Sequence, residues 1–153
     1  MLTVSDAPID APALLKAFER SARGAGAIVT FSGLVRPSAS RGAVETLYLQ
    51  AHPEMTVSGI EVAMTETRER WPVSELCVIH RTGEMKPGDT IVFVAAASAH
   101  RRQALEAADF LMDYLKTRAV FWKREDTESG PQWIEPRAED YEDATRWETA
   151  TKK

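Results

Sequence analysis

The clearest pattern of apolar positions lies between residues 98 and 118. Apolar side chains recur there every three or four residues, which is the spacing of one face of a helix. This stripe consists of Ala104, Leu105, Ala108, Leu111, Met112 and Leu115. The pattern predicts a long amphipathic helix with Ser98 as its N-cap, because a serine hydroxyl suits that position, and with its end near Arg118.

Shorter patterns predict the other elements. Helices are indicated over residues 10–23 and 54–70 and near residues 141–147, and strands over residues 27–35, 43–50, 76–81, 90–97, 120–125 and 132–135, with residues 1–8 as a strand or an extended arm. Asp10 and Pro12 are typical of a helix start. Helices and strands do not alternate as regular βαβ units. The sequence therefore predicts an α+β fold with mostly antiparallel pairing, in one domain spanning residues 1–153.

The run at residues 90–97 is apolar throughout, which is typical of a central strand buried on both faces. It leads into the long helix, whose first turn carries His100, Arg101 and Arg102 where acidic residues are usually favoured. Cationic side chains and free backbone N–H groups together would bind an anion. The alternative is that these side chains point into water, and both readings remain open.

The predicted strand over residues 120–125 places a lysine among apolar neighbours. Alternation puts Phe121, Lys123 and Glu125 on one face and Trp122 and Arg124 on the other. A partly desolvated lysine has a lowered pKa, which makes it a usable base or nucleophile. The alternative is a lysine whose alkyl chain covers an aromatic ring while its amine stays in water.

Other polar residues give weaker signals. Arg36 follows a predicted strand and precedes an irregular loop at residues 37–42, where it would bind a phosphate or simply be solvated. His80 and Arg81 could join an anion site, but an exposed pair at a strand edge is the favoured interpretation. His52 has no partner in sequence for metal or triad chemistry, and Cys77 is expected in the core.

Composition and charge exclude several classes of function. The net charge of −4 argues against nucleic acid as a partner, although acidic residues after Glu125 and basic residues before it suggest a local cationic pocket. A lone cysteine, together with the lack of a signal peptide or an apolar span, predicts a cytoplasmic protein without membrane attachment. Zinc-type Cys/His pairs, a phosphate-binding lysine loop and a dinucleotide glycine motif are missing. We therefore expect neither a metal nor a cofactor.

Several short motifs occur in an order that resembles one known family. They are Gly33–Arg36, Ile79–Glu84, Pro87–Asp89, Ser98–Arg101, Met112–Ala119 and Phe121–Glu125. Together they resemble the large, catalytic subunit of molybdopterin synthase, the MoaE family, from about Gly26 to Trp133. The resemblance implies an α/β hammerhead-type fold with a small β-rich portion.

The resemblance also implies an activity. Members of the family are sulfurtransferases that convert cyclic pyranopterin monophosphate into molybdopterin, for molybdenum cofactor biosynthesis. The two sulfurs come from the C-terminal thiocarboxylate of a small ubiquitin-like carrier ending in Gly-Gly. Two large subunits form a central homodimer with a carrier at each end, a heterotetramer. The rival interpretation is a non-catalytic module that binds a phosphorylated ligand, or a scaffold, with the same fold.

The motifs shared with the family also imply which residues of this chain form the site. Lys116 would meet the carbonyl of the carrier tail, and Lys123 would act on the substrate as an acid or base, so both are predicted to be catalytic. The residues expected to bind substrate are Leu34, Val35, Arg36, His100, Arg101, Lys116, Lys123, Arg124, Glu125 and Arg137. The apolar walls would be Phe31, Met112 and Phe121.

Overall fold

Residues 1–148, the part of the chain that this computed structural model describes, form four helices and nine strands. The helices are α1 (Ala11–Ser21), α2 (Met55–Arg70), α3 (Arg101–Thr117) and α4 (Ala138–Thr145). The strands are β1 (Leu2–Ser5), β2 (Ala27–Leu34), β3 (Ser38–Ala39), β4 (Gly42–Ala51), β5 (Val73–Arg81), β6 (Gly83–Met85), β7 (Thr90–Ser98), β8 (Phe121–Thr127) and β9 (Gly130–Ile134).

The first sheet is built around β7. Its strand order is β1-β5-β7-β2, and only the pairing of β1 with β5 is parallel. Residues 92–98 of β7 are all buried, which confirms the predicted central strand. Ala96 faces the core formed with α2 and α3, whereas Ala95 and Ala97 face the core formed with α1. Small side chains on both faces let helices pack closely on each side.

Cys77 lies in the second of these cores. It is 1% exposed and packs with Phe18 and Ala22 of α1 and with Phe93 of β7. Its predicted place as a small core residue is confirmed.

The second sheet is the smaller, β-rich portion. Its order is β3-β4-β8-β9, and β6 also pairs with β4, on the edge opposite β8. Every pairing in this sheet is antiparallel. The predicted α+β class with mostly antiparallel strands is confirmed. The loop predicted at residues 37–42 instead contains the short strand β3, which folds back on β4 through Gly42, a residue with φ of +119°.

The start of α3 differs from the prediction. Ser98 was expected to be the N-cap, but it belongs to β7, and its Oγ donates a hydrogen bond to the carbonyl of Pro72 at 2.8 Å. Its backbone pairs with both Ala27 and Val73, so the strand continues through it. His100 is the N-cap, without a side-chain capping bond, and the helix therefore begins two residues beyond the strand.

The segment that follows the C-terminal helix α4 is held against α3, mainly by the carboxylate of Asp113. Asp113 Oδ2 accepts hydrogen bonds from Trp147 Nε1 at 2.6 Å and from Arg146 Nη2 at 2.7 Å. The Trp147 ring also meets Trp71 and Phe110 edge-on. The predicted terminal helix is confirmed, and its anchor brings the start of α4 to the end of α3. Within residues 1–148, no helix is both long and apolar enough to cross a membrane.

We expect Asp113→Ala to loosen this anchor. The change leaves the indole N–H and the Arg146 guanidinium without their main acceptor, so the free energy of unfolding should fall by about 1–3 kcal/mol. Hydrogen exchange across residues 138–148 should accelerate at the same time. Asp109→Ala is the matched control, because Asp109 is an exposed ion-pair partner of the same arginine and should cost little. Equal effects of the two changes would contradict this assignment.

Candidate active site

Three cationic side chains meet where α3 ends. Lys116 lies in the last turn of α3, Lys123 lies on β8, and Arg36 follows the end of β2. The charges of Lys116 and Arg36 both act on the Lys123 amine, which shows that the three groups are close in space. Leu34 pairs with Thr90 at the start of β7, and α3 returns along this strand, so all three elements reach the same end of the first sheet.

Lys123 is the least hydrated of the three. Burial lowers the pKa of its ammonium group, and the neighbouring Lys116 and Arg36 lower it further, whereas Glu125 opposes the shift. Its Nζ lies 3.7 Å from Glu125 Oε1, and the lysine side chain is 31% exposed. Of the two interpretations that the sequence left open for Lys123, partial desolvation agrees with this burial. An amine with a lowered pKa gains and loses a proton more readily near neutral pH.

A buried histidine borders the same place. The ring of His80 stacks on that of Phe121 with 4.0 Å between centroids, and His80 is 7% exposed. Burial lowers the pKa of His80 to about 4, and the charge of Lys116 contributes, so its imidazole is neutral at pH 7. The favoured interpretation of an exposed pair is wrong, because β5 lies between β1 and β7. The alternation of Leu76, Val78 and His80 on one strand face was the signal for burial.

Arg81 is also covered, on the opposite side of β5. Its Nη1 lies 3.2 Å from Asp89 Oδ2, and its side chain is only 13% exposed. Asp89 Oδ2 also accepts the backbone N–H of Lys86, which closes the turn before β7. The backbone carbonyl of Asp89 accepts the N–H of Val35 at 2.9 Å, so this turn holds the residue that precedes Arg36.

The remaining predicted residues divide between this place and others. Glu125 shares the strand face of Lys123, and Val35 is buried beside the exposed Leu34 and Arg36. Arg124 lies on the other face of β8, where it pairs with Asp126 and lies over the rings of Tyr48 and Trp133. Within one chain, the side chains of Arg124 and Lys123 therefore lie on opposite faces of β8.

Arg137 lies at the start of α4, which is close to Lys116 at the end of α3. It is the N-cap of that helix, is largely exposed, and pairs with Asp140 at 3.4 Å. Burial acts to raise the pKa of Asp140, but hydrogen bonds from Arg137 and the charge of Lys116 lower it overall. The start of α4 consequently adds one acid and one further cation to the end of α3.

His100 and Arg101 lie at the opposite end of the molecule from Lys116. They are exposed at the start of α3, whose 17 residues span about 25 Å. Arg36 is equally distant, because the nine residues of β7 span about 30 Å. His100 and Arg101 line an open cleft of about 660 Å³ together with Gly26 and Gln103. One copy of the chain does not unite the two cationic groups.

The polar groups at this place are mainly cationic. Among residues 1–148 there is no group of three or more His, Cys, Asp or Glu side chains placed to hold a metal ion. The site consists of three cationic side chains at one end of the first sheet, and one of them, Lys123, is a partly buried lysine. Cationic groups beside a lysine of lowered pKa form an arrangement that can bind an anion and exchange protons with it.

Comparisons with known proteins identify the family. The model of the family described as MoaE protein matches residues 4–118. The molybdopterin synthase catalytic subunit of Caulobacter vibrioides is 45% identical over 148 residues, which cover 97% of each chain. The chain belongs to the MoaE family.

Solved structures agree with this assignment. A molybdopterin biosynthesis MoaE protein from Burkholderia ambifaria matches with a TM-score of 0.82 and 34% identity, over 97% of this chain and 98% of that one. A complex of subunits 1 and 2 of the molybdopterin-converting factor from Helicobacter pylori matches with a TM-score of 0.76 over 89% of this chain and 91% of that one. At 21% identity, this second likeness establishes a shared fold only.

The electrostatics of Lys123 predict how its pKa responds to its neighbours. Lys116→Gln and Arg36→Gln each remove a repelling charge and should raise the pKa of Lys123, whereas Glu125→Gln removes an attracting charge and should lower it further. The measurement is NMR titration of the protein with ¹³C-methylated lysines. Lys16→Gln on α1 is the control and should leave the Lys123 curve in place. A Lys123 pKa at the ordinary lysine value in the wild type would contradict the burial described above.

Proposed function

We propose that the chain is the catalytic subunit of a molybdopterin synthase. It transfers two sulfurs from the C-terminal thiocarboxylate of a small ubiquitin-like carrier to cyclic pyranopterin monophosphate. The observation that carries this proposal is the partly buried Lys123 beside Lys116 and Arg36, in a chain of the MoaE family. These groups match an anionic substrate whose conversion requires proton transfer.

The substrate and the carrier tail are both anionic. Arg36 is exposed at the end of a well-held strand, where its guanidinium can pair with a phosphate in a bidentate manner. The exposed Arg137 supplies further positive charge near Lys116. Glu125, paired with Lys123, would keep that amine on the inner face of the strand. Leu34 and Phe121 would supply apolar contacts next to these polar groups.

The two lysines would have different roles. Lys116 is exposed and would meet the carbonyl of the carrier tail, where negative charge develops as the thiocarboxylate is consumed. Lys123 is partly buried and would serve the pterin, where protons move as oxygen leaves and sulfur enters. A lysine of lowered pKa suits this second role because it can act both as an acid and as a base.

A complete site would need two copies of the chain. His100 and Arg101 match the family motif for substrate binding, yet about 25 Å of helix separates them from Lys116. A homodimer can place the α3 N-terminus of one subunit beside the lysines of its partner, so that each site combines both cationic groups. A carrier at the other side of each site would complete a heterotetramer. The relative from Caulobacter vibrioides is named as a catalytic subunit, which supports a further subunit as partner.

Reconstitution tests the proposed reaction. The protein is mixed with thiocarboxylated carrier and precursor, and formation of the dithiolene product is followed in a single turnover at saturating precursor. Lys116→Ala and Lys123→Ala should each slow this turnover by about 10²–10⁴-fold. Arg36→Ala should mainly weaken precursor binding. Cys77→Ser is the control and should keep its rate, since the sulfur comes from the carrier. Near-normal rates in both lysine variants would remove them from the mechanism.

Mixing two inactive variants tests the shared site. Arg101→Ala and Lys123→Ala subunits should each be poorly active alone. After dissociation and random reassociation, about half of the dimers are mixed and each holds one intact site, so activity should recover to about a quarter of the wild-type value. If each site lay within one chain, every site in the mixture would remain defective and no activity would return.

A further inference from the structure

The motif Ile79–Glu84 has no role in the site described so far. It contains His80 and Arg81, two adjacent side chains of β5 that project to opposite faces of the first sheet. Both are largely buried, since His80 is 7% exposed and the Arg81 side chain is 13% exposed. Each of them contacts a segment that leads to one of the site cations.

His80 supports the strand of Lys123. Its ring stacks on Phe121 at 4.0 Å with an interplanar angle of 22°, and Phe121 precedes Lys123 by two residues on the same face of β8. The His80 Nδ1 lies 3.0 Å from the carbonyl oxygen of Arg81, which fixes the rotation of the ring. The stack therefore fixes the first residue of β8, which lies two residues before Lys123.

Arg81 supports the segment of Arg36. Its guanidinium binds the carboxylate of Asp89, and the same carboxylate accepts the backbone N–H of Lys86. Val35 is held by this turn twice, because its N–H donates to the Asp89 carbonyl and its carbonyl accepts from Gly88 N–H, both at 2.9 Å. Arg36 is the next residue along the chain. Arg81 thus fixes the position of the Arg36 backbone through two contacts. The first is its ion pair with Asp89, and the second is the hydrogen bond between Asp89 and Val35.

We infer that His80 and Arg81 are positioning residues of the lysine site, His80 for Lys123 through the Phe121 ring and Arg81 for Arg36 through Asp89. Neither residue needs to touch the substrate. For its kinetic consequences the inference rests on the proposed function, whereas its structural consequences do not. Small displacements of catalytic groups lower the reaction rate strongly. Loss of either positioning residue should therefore be measurable in the kinetics.

The inference predicts opposite kinetic signatures for the two neighbours. His80→Ala should lower kcat by roughly 10–100-fold with little change in KM, because it disturbs the group that moves protons. His80→Phe keeps a flat, neutral ring on Phe121 and should restore most of that loss. Arg81→Met keeps the length of the side chain but removes the ion pair. It should raise KM for the precursor about tenfold and leave kcat near its wild-type value.

Double-mutant cycles separate positioning from general stability. His80→Ala should cost almost nothing further in a Lys123→Ala background, and Arg81→Met almost nothing further in an Arg36→Ala background. The crossed pairs, His80→Ala with Arg36→Ala and Arg81→Met with Lys123→Ala, should multiply their effects. Full multiplication in the matched pairs as well would overturn the inference, because a residue needed only for folding acts independently of the site.

A second readout does not require the reaction. Lys123 should titrate closer to the ordinary lysine pKa in His80→Ala, since water reaches a lysine whose strand is no longer held, and it should return to its wild-type curve in His80→Phe. If His80→Ala does not fold, Phe121→Leu removes the other ring of the stack and gives the same comparison. An unchanged Lys123 curve would overturn the role of His80. A shifted curve in a protein without sulfur-transfer activity would support it and reject the proposed function alone.

Discussion

The structure depends on the burial of one strand on both faces. β7 is enclosed by β5 and β2 at its edges, by α1 on one face, and by α2 and α3 on the other. Three consecutive alanines, Ala95 to Ala97, make this possible, because larger side chains would push the helices away. Only two residues connect β7 to α3, so the helix must run back along the strand it leaves. The lengths of these two elements then decide which side chains meet.

The lysine site is one consequence of this geometry. A strand of nine residues and a helix of 17 residues that run in opposite directions place the end of α3 near the start of β7. β2 and β8 reach the same end from different sheets, and each delivers one cation. Bringing Lys116, Lys123 and Arg36 together is unfavourable by itself, since like charges repel and burial penalises the ammonium form. Glu125 beside Lys123 and Asp140 near Lys116 offset part of that repulsion.

The second consequence is the separation of the cations at the start of α3 from those at its end. A rigid helix cannot shorten, so His100 and Arg101 cannot join Lys123 within one chain. The edge strand β2 lies along this gap and exposes Phe31 and Leu34, two large apolar side chains. A ligand too short to span this distance can therefore contact only one of the two cationic groups of a single chain.

The sequence by itself determined the elements and the kind of chemistry. A continuous apolar run predicted β7, and helical spacing predicted α3 and α4, because burial is recorded in which positions are apolar. Alternation around Lys123 left its partial burial as one of two interpretations, and the ordered motifs indicated the family. Tertiary structure decided what local patterns do not encode. Ser98 pairs on both sides as a strand residue. His80 is covered because β1 pairs with the edge of its strand and the Phe121 ring stacks on its imidazole. Arg124 points away from Lys123. Each of these depends on contacts between residues far apart in sequence. The same is true of the 25 Å between His100 and Lys116, since a motif gives the order of residues but only the packed helix gives their distance.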